Sequence, residues 1–107
     1  MPRWLPKLLG RIRELVAQQR VILTLKAQRE LAALGSGFDP DDARDVLASL
    51  EEADFHVRVE SERTGEWLYV FKPTVADMLV YVKVVIRANC IVVSFHEDEG
   101  LEDDEDT

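Results

Sequence analysis

The apolar residues of this 107-residue chain change their spacing near Asp54. Before that point they recur every three or four residues, which is the spacing of a helix that buries one face. After it they alternate with polar residues, which is the spacing of a half-buried strand. One change of period, from helices to strands, is typical of an α+β domain. We therefore predict N-terminal helices packed on one face of an antiparallel sheet of about four strands, with residues 1–97 as a single domain.

Three segments have helical spacing. Residues 5–16 place their apolar side chains on one stripe, with charged residues off it. The stretch "LKAQRELAALG" predicts a second helix that ends at Gly35, since glycine suits a helix C-terminus. A third helix is expected from Asp39-Pro40, because aspartate can cap a first turn and proline suits the first helical position.

Four segments are expected as strands: residues 55–60, where apolar and polar residues alternate, and the more apolar runs 67–72, 79–87 and 90–96. The last two form a hairpin if Ala88 and Asn89 are the two central residues of its turn, because asparagine tolerates a positive φ. The register that follows separates polar from apolar pairs. One face carries Tyr81–His96, Lys83–Ser94, Val85–Val92 and Arg87–Cys90, and the other carries Val82–Phe95, Val84–Val93 and Ile86–Ile91. We expect the first of these faces to be open to solvent.

The net charge of −8 lies at the C-terminal end of the chain. The sequence has 13 Lys and Arg against 21 Asp and Glu, and eight of the acids follow His96, so the body before them is formally neutral. Residues 98–107 contain too little apolar area to offset the entropy of ordering, and we predict a disordered acidic tail. Such a tail either keeps the protein soluble or folds back over the open face and weakens the binding of a ligand there.

The cysteine content and the apolar runs indicate the cellular compartment in which we expect the protein. Cys90 is the only cysteine, which excludes an internal disulfide and fits a reducing environment. No apolar run is long enough to span a membrane, and charges interrupt the basic N-terminus. We expect a cytoplasmic protein with no membrane partner.

The open face carries the chemistry of an anion site. Tyr81, Lys83 and His96 lie on it, and His56 and Arg58 alternate in a way that could join them. Cations can hold a phosphodiester, while groups that exchange protons near neutral pH can activate a ribose 2′-hydroxyl and protonate the leaving oxygen. We predict Tyr81, His96 and His56 as catalytic candidates, without metal or cofactor.

Four further side chains could contact the substrate: Lys83, Arg58, Trp67 and Arg87. The cations would hold phosphates, and the tryptophan could stack on a base. Each of these residues also has an ordinary explanation. A histidine at the end of an edge strand is usually a solvated residue, tyrosine and lysine are common on strand surfaces, and an aromatic residue is more often part of the core.

The chain resembles the MqsR (motility quorum-sensing regulator) family of toxin–antitoxin mRNA interferases from about residue 12 to residue 97. The matching pieces are "RELVAQQRV", "LASLEEADF", "EWLYVFKP" and "VYVKVVIRANCIVVSFHE". The resemblance implies a RelE-like fold and metal-independent cleavage of single-stranded mRNA through the ribose 2′-hydroxyl. It also implies a cognate antitoxin protein as partner, with DNA contacted only through that antitoxin.

This chain has some of the site residues expected for the family and differs from the family at others. The Tyr-x-Lys segment of the family is present as Tyr81-Val82-Lys83, which implies a catalytic part for Tyr81. His96 stands where the family has a lysine, and Leu68 stands where it has a glutamine. A second expected lysine is missing near His56, and whether His56 or Arg58 replaces it stays open.

These departures leave three hypotheses. The first is an endoribonuclease toxin, and the second is a catalytically degenerate RelE-like module that binds RNA or protein. The third is an interaction domain whose acidic tail binds a basic partner.

Overall fold

The structure, a computed structural model, describes residues 2–35 and 37–100. The helices are α1 (Trp4–Ala17), α2 (Leu25–Ala33) and α3 (Pro40–Ala48), with a 3₁₀ turn at Glu52–Asp54. The strands are β1 (Val21–Leu23), β2 (Phe55–Glu60), β3 (Trp67–Phe71), β4 (Thr74–Val75), β5 (Met78–Ile86) and β6 (Cys90–Glu97). The predicted α+β class is confirmed.

Two of the helices, α2 and α3, begin where a side chain satisfies a free backbone N–H group, whereas α1 has no side-chain cap. At α3 the carboxylate of Asp39 accepts from the N–H of Asp42, and the Asp42 carboxylate accepts in return from the N–H of Asp39. Pro40 follows at the first helical position, so the predicted start of this helix is confirmed. At α2 the hydroxyl of Thr24 accepts from the N–H of Ala27 at 3.1 Å.

The sheet differs from the prediction in size and direction. It has six strands, with β1-β6-β5-β3-β2 as the order across it and β4 paired with β5. β1 runs parallel to β6, whereas the other pairs are antiparallel, so the expected four-stranded antiparallel sheet is wrong. Strands of three and two residues are too short to show a period, and β1 pairs with a strand about seventy residues away in sequence.

The three helices cover one side of the sheet, as predicted. Their buried side chains form a single core with strand residues that include Phe71, Val82, Val84 and Phe95, and we call this side the helix-covered face. Successive strand residues point to opposite sides. The other side, which we call the open face, therefore carries Val70, Tyr81, Lys83, Ser94 and His96. The predicted exposure of this face to solvent is wrong for Tyr81, Val85 and Ser94, which are all buried.

The β5–β6 hairpin has the predicted register over half its length. Tyr81 pairs with His96, Val82 with Phe95 and Lys83 with Ser94, as expected. Beyond Lys83 the register shifts by one residue, and the remaining pairs are Val84–Val92, Val85–Ile91 and Ile86–Cys90. The predicted pairs of Val84, Val85, Ile86 and Arg87 are therefore wrong. The cause is a β-bulge at Val93, combined with a connection of three residues, 87–89, in place of a two-residue turn.

The structure also bears on the predictions made for the cysteine and for membrane-spanning segments. Cys90 is fully buried at the start of β6, and this burial raises the pKa of its thiol to about 12. None of the helices within residues 2–35 and 37–100 has the length and apolar content needed to cross a membrane.

Candidate functional site

The hairpin brings Tyr81 and His96 together on the open face. Their rings are stacked, with centroids 4.9 Å apart and planes inclined by 11°. The predicted side-by-side placement is therefore confirmed. The expectation that the phenol is open to solvent is wrong, because Tyr81 is only 8% exposed, and the stacked imidazole ring covers part of it.

One hydrogen bond fixes how His96 can exchange a proton. Its Nδ1 lies 2.8 Å from the carbonyl oxygen of Glu97, and a carbonyl oxygen can only accept. Nδ1 must therefore carry a hydrogen. In the neutral ring this leaves the lone pair on Nε2, so Nε2 is the nitrogen that can take a proton from a substrate.

Lys83 and Ser94 form the next pair along the same face. The Nζ atom of Lys83 lies 5.9 Å from the centroid of the Tyr81 ring. Ser94 is only 3% exposed, and its hydroxyl accepts a hydrogen bond of 2.9 Å from the ammonium of Lys26. We call Tyr81, Lys83, Ser94 and His96 the open-face cluster. Lys26 was not predicted as a site residue, since nothing in the helical spacing of α2 relates it to a strand about seventy residues later.

Lys72 also lies beside this cluster. It directly follows Phe71, which pairs with Val82, so Lys72 lies on the open face next to Tyr81. Its ammonium contacts the carboxylate of Asp98 at 3.4 Å, and the Asp98 side chain is only 9% exposed. The N–H of Asp98 donates to the carbonyl of Leu79 and extends the ladder beyond β6. The rest of the predicted acidic tail from residue 101 onward lies outside the described residues.

His56 lies on β2, away from the cluster. It is the extra residue of a bulge in β2, between the pairs Phe55–Phe71 and Val57–Val70. Because β2 and β6 are separated by β3 and β5, three strand spacings of about 4.8 Å place His56 roughly 14 Å from the strand of His96. The two histidines are therefore too far apart to act on one phosphate.

Arg58 and Trp67 lie on the opposite side of the sheet. Arg58 pairs with Tyr69, whose ring contacts Trp4 of α1, so it belongs to the helix-covered face. Its guanidinium carbon lies 3.8 Å from the Trp67 ring centroid and 4.5 Å from that of Trp4. The structure does not bring these two predicted substrate contacts to the open-face cluster.

Arg87 lies at the far end of the hairpin. It is six residues from Tyr81 along the chain, which in a strand is about 20 Å. Its Nε and Nη2 atoms each donate to a carboxylate oxygen of Glu66 at 2.8 Å. This bidentate contact lowers the pKa of Glu66 to about 2 and raises the pKa of Arg87. Arg87 therefore ties two turns together, away from the cluster.

The cluster is richer in bases than in acids. Lys83 and His96 belong to it and Lys26 and Lys72 lie beside it, while Glu30 and Asp98 are each paired with one of the latter two lysines. Within the described part of the chain, no group of three His, Cys, Asp or Glu side chains is arranged to hold a metal ion.

The fold is that of a small α+β protein whose sheet is covered by helices on one face. Its open face carries a cluster of basic side chains and a tyrosine, which can exchange protons. The sequence itself gives the family. A family model described as "Motility quorum-sensing regulator, toxin of MqsA" matches residues 6–97, and the chain belongs to this MqsR toxin family. The predicted resemblance is thus confirmed. A comparison with curated proteins found no match.

Proposed function

We propose that this toxin is an endoribonuclease that cleaves single-stranded mRNA through the ribose 2′-hydroxyl. The observation that carries the proposal is the stacked Tyr81–His96 pair beside Lys83 and Ser94. An imidazole exchanges protons near neutral pH, and a lysine beside it supplies positive charge for a phosphodiester. Membership of a toxin family agrees with an activity that stops growth.

In the proposed reaction, Nε2 of His96 accepts the proton of the 2′-hydroxyl. The freed 2′-oxygen attacks the adjacent phosphorus, the new P–O2′ bond forms, and the P–O5′ bond breaks. The leaving 5′-oxygen takes a proton from the second group of the pair, the phenol of Tyr81. The products are a 2′,3′-cyclic phosphate and a 5′-hydroxyl end. Proton transfer of this kind typically contributes about 10²–10⁴-fold to the rate.

Lys83 would stabilise the charge that develops on the phosphate oxygens as the bond to the 2′-oxygen forms. The route needs no metal ion, because side chains supply both the proton transfers and the positive charge. The partner that restrains the toxin would be an antitoxin of the MqsA kind, and the site of action would be the cytoplasm. The RelE-like fold implied by the resemblance is part of the same proposal.

A second function is favoured by one observation. Tyr81 is largely covered, and a phenol that must protonate a leaving group has to reach the substrate. In a catalytically degenerate module the stacked pair would only shape a surface that binds RNA or protein. The two functions differ in whether bound RNA stays intact.

The test is cleavage of a single-stranded RNA by the purified protein in the presence of EDTA, with analysis of the new ends. We expect cyclic phosphate ends, and a rate lowered by about 10²-fold or more in His96→Ala and in Tyr81→Phe. His56→Ala is the matched control, because it removes the other histidine, whose strand lies roughly 14 Å from that of His96, and it should leave the rate unchanged.

Intact RNA that nevertheless binds to the wild-type protein would favour the degenerate module. Cleavage that is unchanged in His96→Ala, or that stops with EDTA, would contradict the proposed mechanism. Equal losses in His96→Ala and His56→Ala would show that the histidines act on stability and not on chemistry, and thermal unfolding of each variant checks this.

A further inference from the structure

The residue at the start of α2 is hydrogen-bonded to β6, the strand that carries His96. Thr24, the residue before the helix, donates its N–H to the carbonyl of Val92 and its hydroxyl to the carbonyl of Val93. The same hydroxyl accepts from the N–H of Ala27 and caps the helix. Helix and strand are thus joined at the bulge of β6, and the position of Lys26, two residues after Thr24, is set relative to the open-face cluster.

Glu30 holds the side chain of Lys26 at this strand. One carboxylate oxygen accepts from the N–H of Phe95 at 2.9 Å, and the other lies 2.7 Å from the Lys26 ammonium. β1 pairs with β6 only as far as Val92, so Glu30 satisfies a backbone donor that β1 does not reach. The carboxylate therefore fixes both the strand edge and the direction of the lysine.

The ammonium of Lys26 binds one residue of its own helix and one residue of the open-face cluster. Two of its three donors are directed to Glu30 and to Ser94, and the side chain is 58% exposed. Ser94 is the direct partner of Lys83 in the ladder. The Ser94 hydroxyl thus contacts Lys26 of α2, and Lys83 is the residue opposite Ser94 on the neighbouring strand β5.

We propose that Lys26 is a substrate-binding residue that, together with Lys83, holds the phosphates of the RNA chain next to His96. The inference rests on the proposed function and adds a residue to it. The body of the protein is formally neutral, so its affinity for RNA depends on a few well-placed cations rather than on overall charge. Lys26 supplies one of them from a helix, at the place where His96 provides an imidazole.

The experiment compares Lys26→Gln with Arg29→Gln. Both substitutions remove one positive charge from the exposed side of α2, but the structure shows only Lys26 in contact with the cluster. The probe is a single-stranded oligonucleotide whose 2′-hydroxyls are methylated, so that it binds without being cleaved. Binding is measured by fluorescence anisotropy across a salt series, and thermal unfolding shows whether each variant is folded.

We expect Lys26→Gln to weaken binding and to reduce the slope of log K against log salt by about 0.7, the value for one phosphate contact with a single strand. Arg29→Gln should leave the slope unchanged, and Lys26→Arg should restore it. A Lys26→Gln slope equal to that of the wild type or of Arg29→Gln would overturn the inference while leaving the nuclease proposal intact.

A second measurement uses the wild-type protein and does not depend on how a variant folds. The side-chain NMR signals of Lys26 and Lys83 should both shift when the methylated oligonucleotide is added, and that of Lys7 on α1 should not. A shift of Lys83 without one of Lys26 would overturn the inference. If neither lysine shifts and the wild type binds no RNA, the proposed function fails together with the inference.

Discussion

The lysine and arginine side chains of this protein have different surroundings, although the sequence alone does not distinguish them. Lys26 contacts Ser94 of the open-face cluster, Arg58 contacts two tryptophan rings, and Arg87 forms a bidentate ion pair. A guanidinium whose donors are already directed to a carboxylate is a poor candidate for a substrate phosphate. What each cation can bind is therefore decided by its nearest neighbours.

The Glu66–Arg87 pair should make stability depend on pH. The pKa of Glu66 is lowered from 4.5 to about 2 by its hydrogen bonds from Arg87, so the unfolded chain binds its proton at a higher pH than the folded one does. The contribution is fully present above pH 4.5 and is lost as the pH falls toward 2. We expect the melting temperature of Glu66→Gln to fall less over this range than that of the wild type.

Glu62→Gln is the matched control for this measurement, because Glu62 is an exposed carboxylate in the same turn. It should follow the wild-type curve. Parallel curves for all three proteins between pH 4.5 and 2 would mean that the ion pair does not form in solution.

At the scale of elements, the β4–β5 turn has two consecutive residues other than glycine with a positive φ. Its two central residues, Ala76 and Asp77, have φ values of 51° and 65°. This conformation suits a two-residue hairpin turn, but alanine adopts it at a cost, whereas asparagine is found there several times more often.

Ala76→Asn should therefore stabilise the protein by about 1 kcal/mol, because several-fold enrichment corresponds to that free energy. In a domain of this size the melting temperature would rise by about 4–8 °C. Ala88→Asn is the control, since Ala88 is also an exposed turn residue but has no positive φ. Equal shifts for the two variants would show that the gain has another origin.

At the scale of the whole molecule, the two sides of one sheet have separate roles. The helix-covered face forms the core, and the open face carries the cluster. The first residue of the predicted acidic tail, Asp98, is paired with Lys72 beside that cluster. Acidic residues that follow it in sequence compete with RNA for the same cations if they lie over this face.

Breaking this contact should strengthen RNA binding. We expect Asp98→Asn to free the ammonium of Lys72 and to raise the affinity for the methylated oligonucleotide by up to about fivefold, the equivalent of about 1 kcal/mol. Glu99→Gln makes the same change of charge one residue later and should have a smaller effect. Equal effects of the two variants would indicate that only net charge matters, and deletion of residues 98–107 should exceed both.

The sequence predicted those parts of the fold that depend on local periodicity. The three helices and the four longest strands follow from the spacing of apolar residues within each segment, and the cap at Asp39 follows from the residue types at the start of its helix. The stacking of Tyr81 on His96 also follows, because both belong to one hairpin and pair near its open end. Membership of the MqsR family was visible in the same stretches.

The sequence by itself thus determined the α+β class, the toxin family and the pair at the centre of the open-face cluster. Only the tertiary structure placed β1 against β6, shifted the register at Val93, separated Arg58 from Tyr81 and brought Lys26 to Ser94. The reason is physical. Periodicity records which side of an element is buried, whereas contacts between distant segments depend on strand order, bulges and edges, which side-chain spacing does not encode.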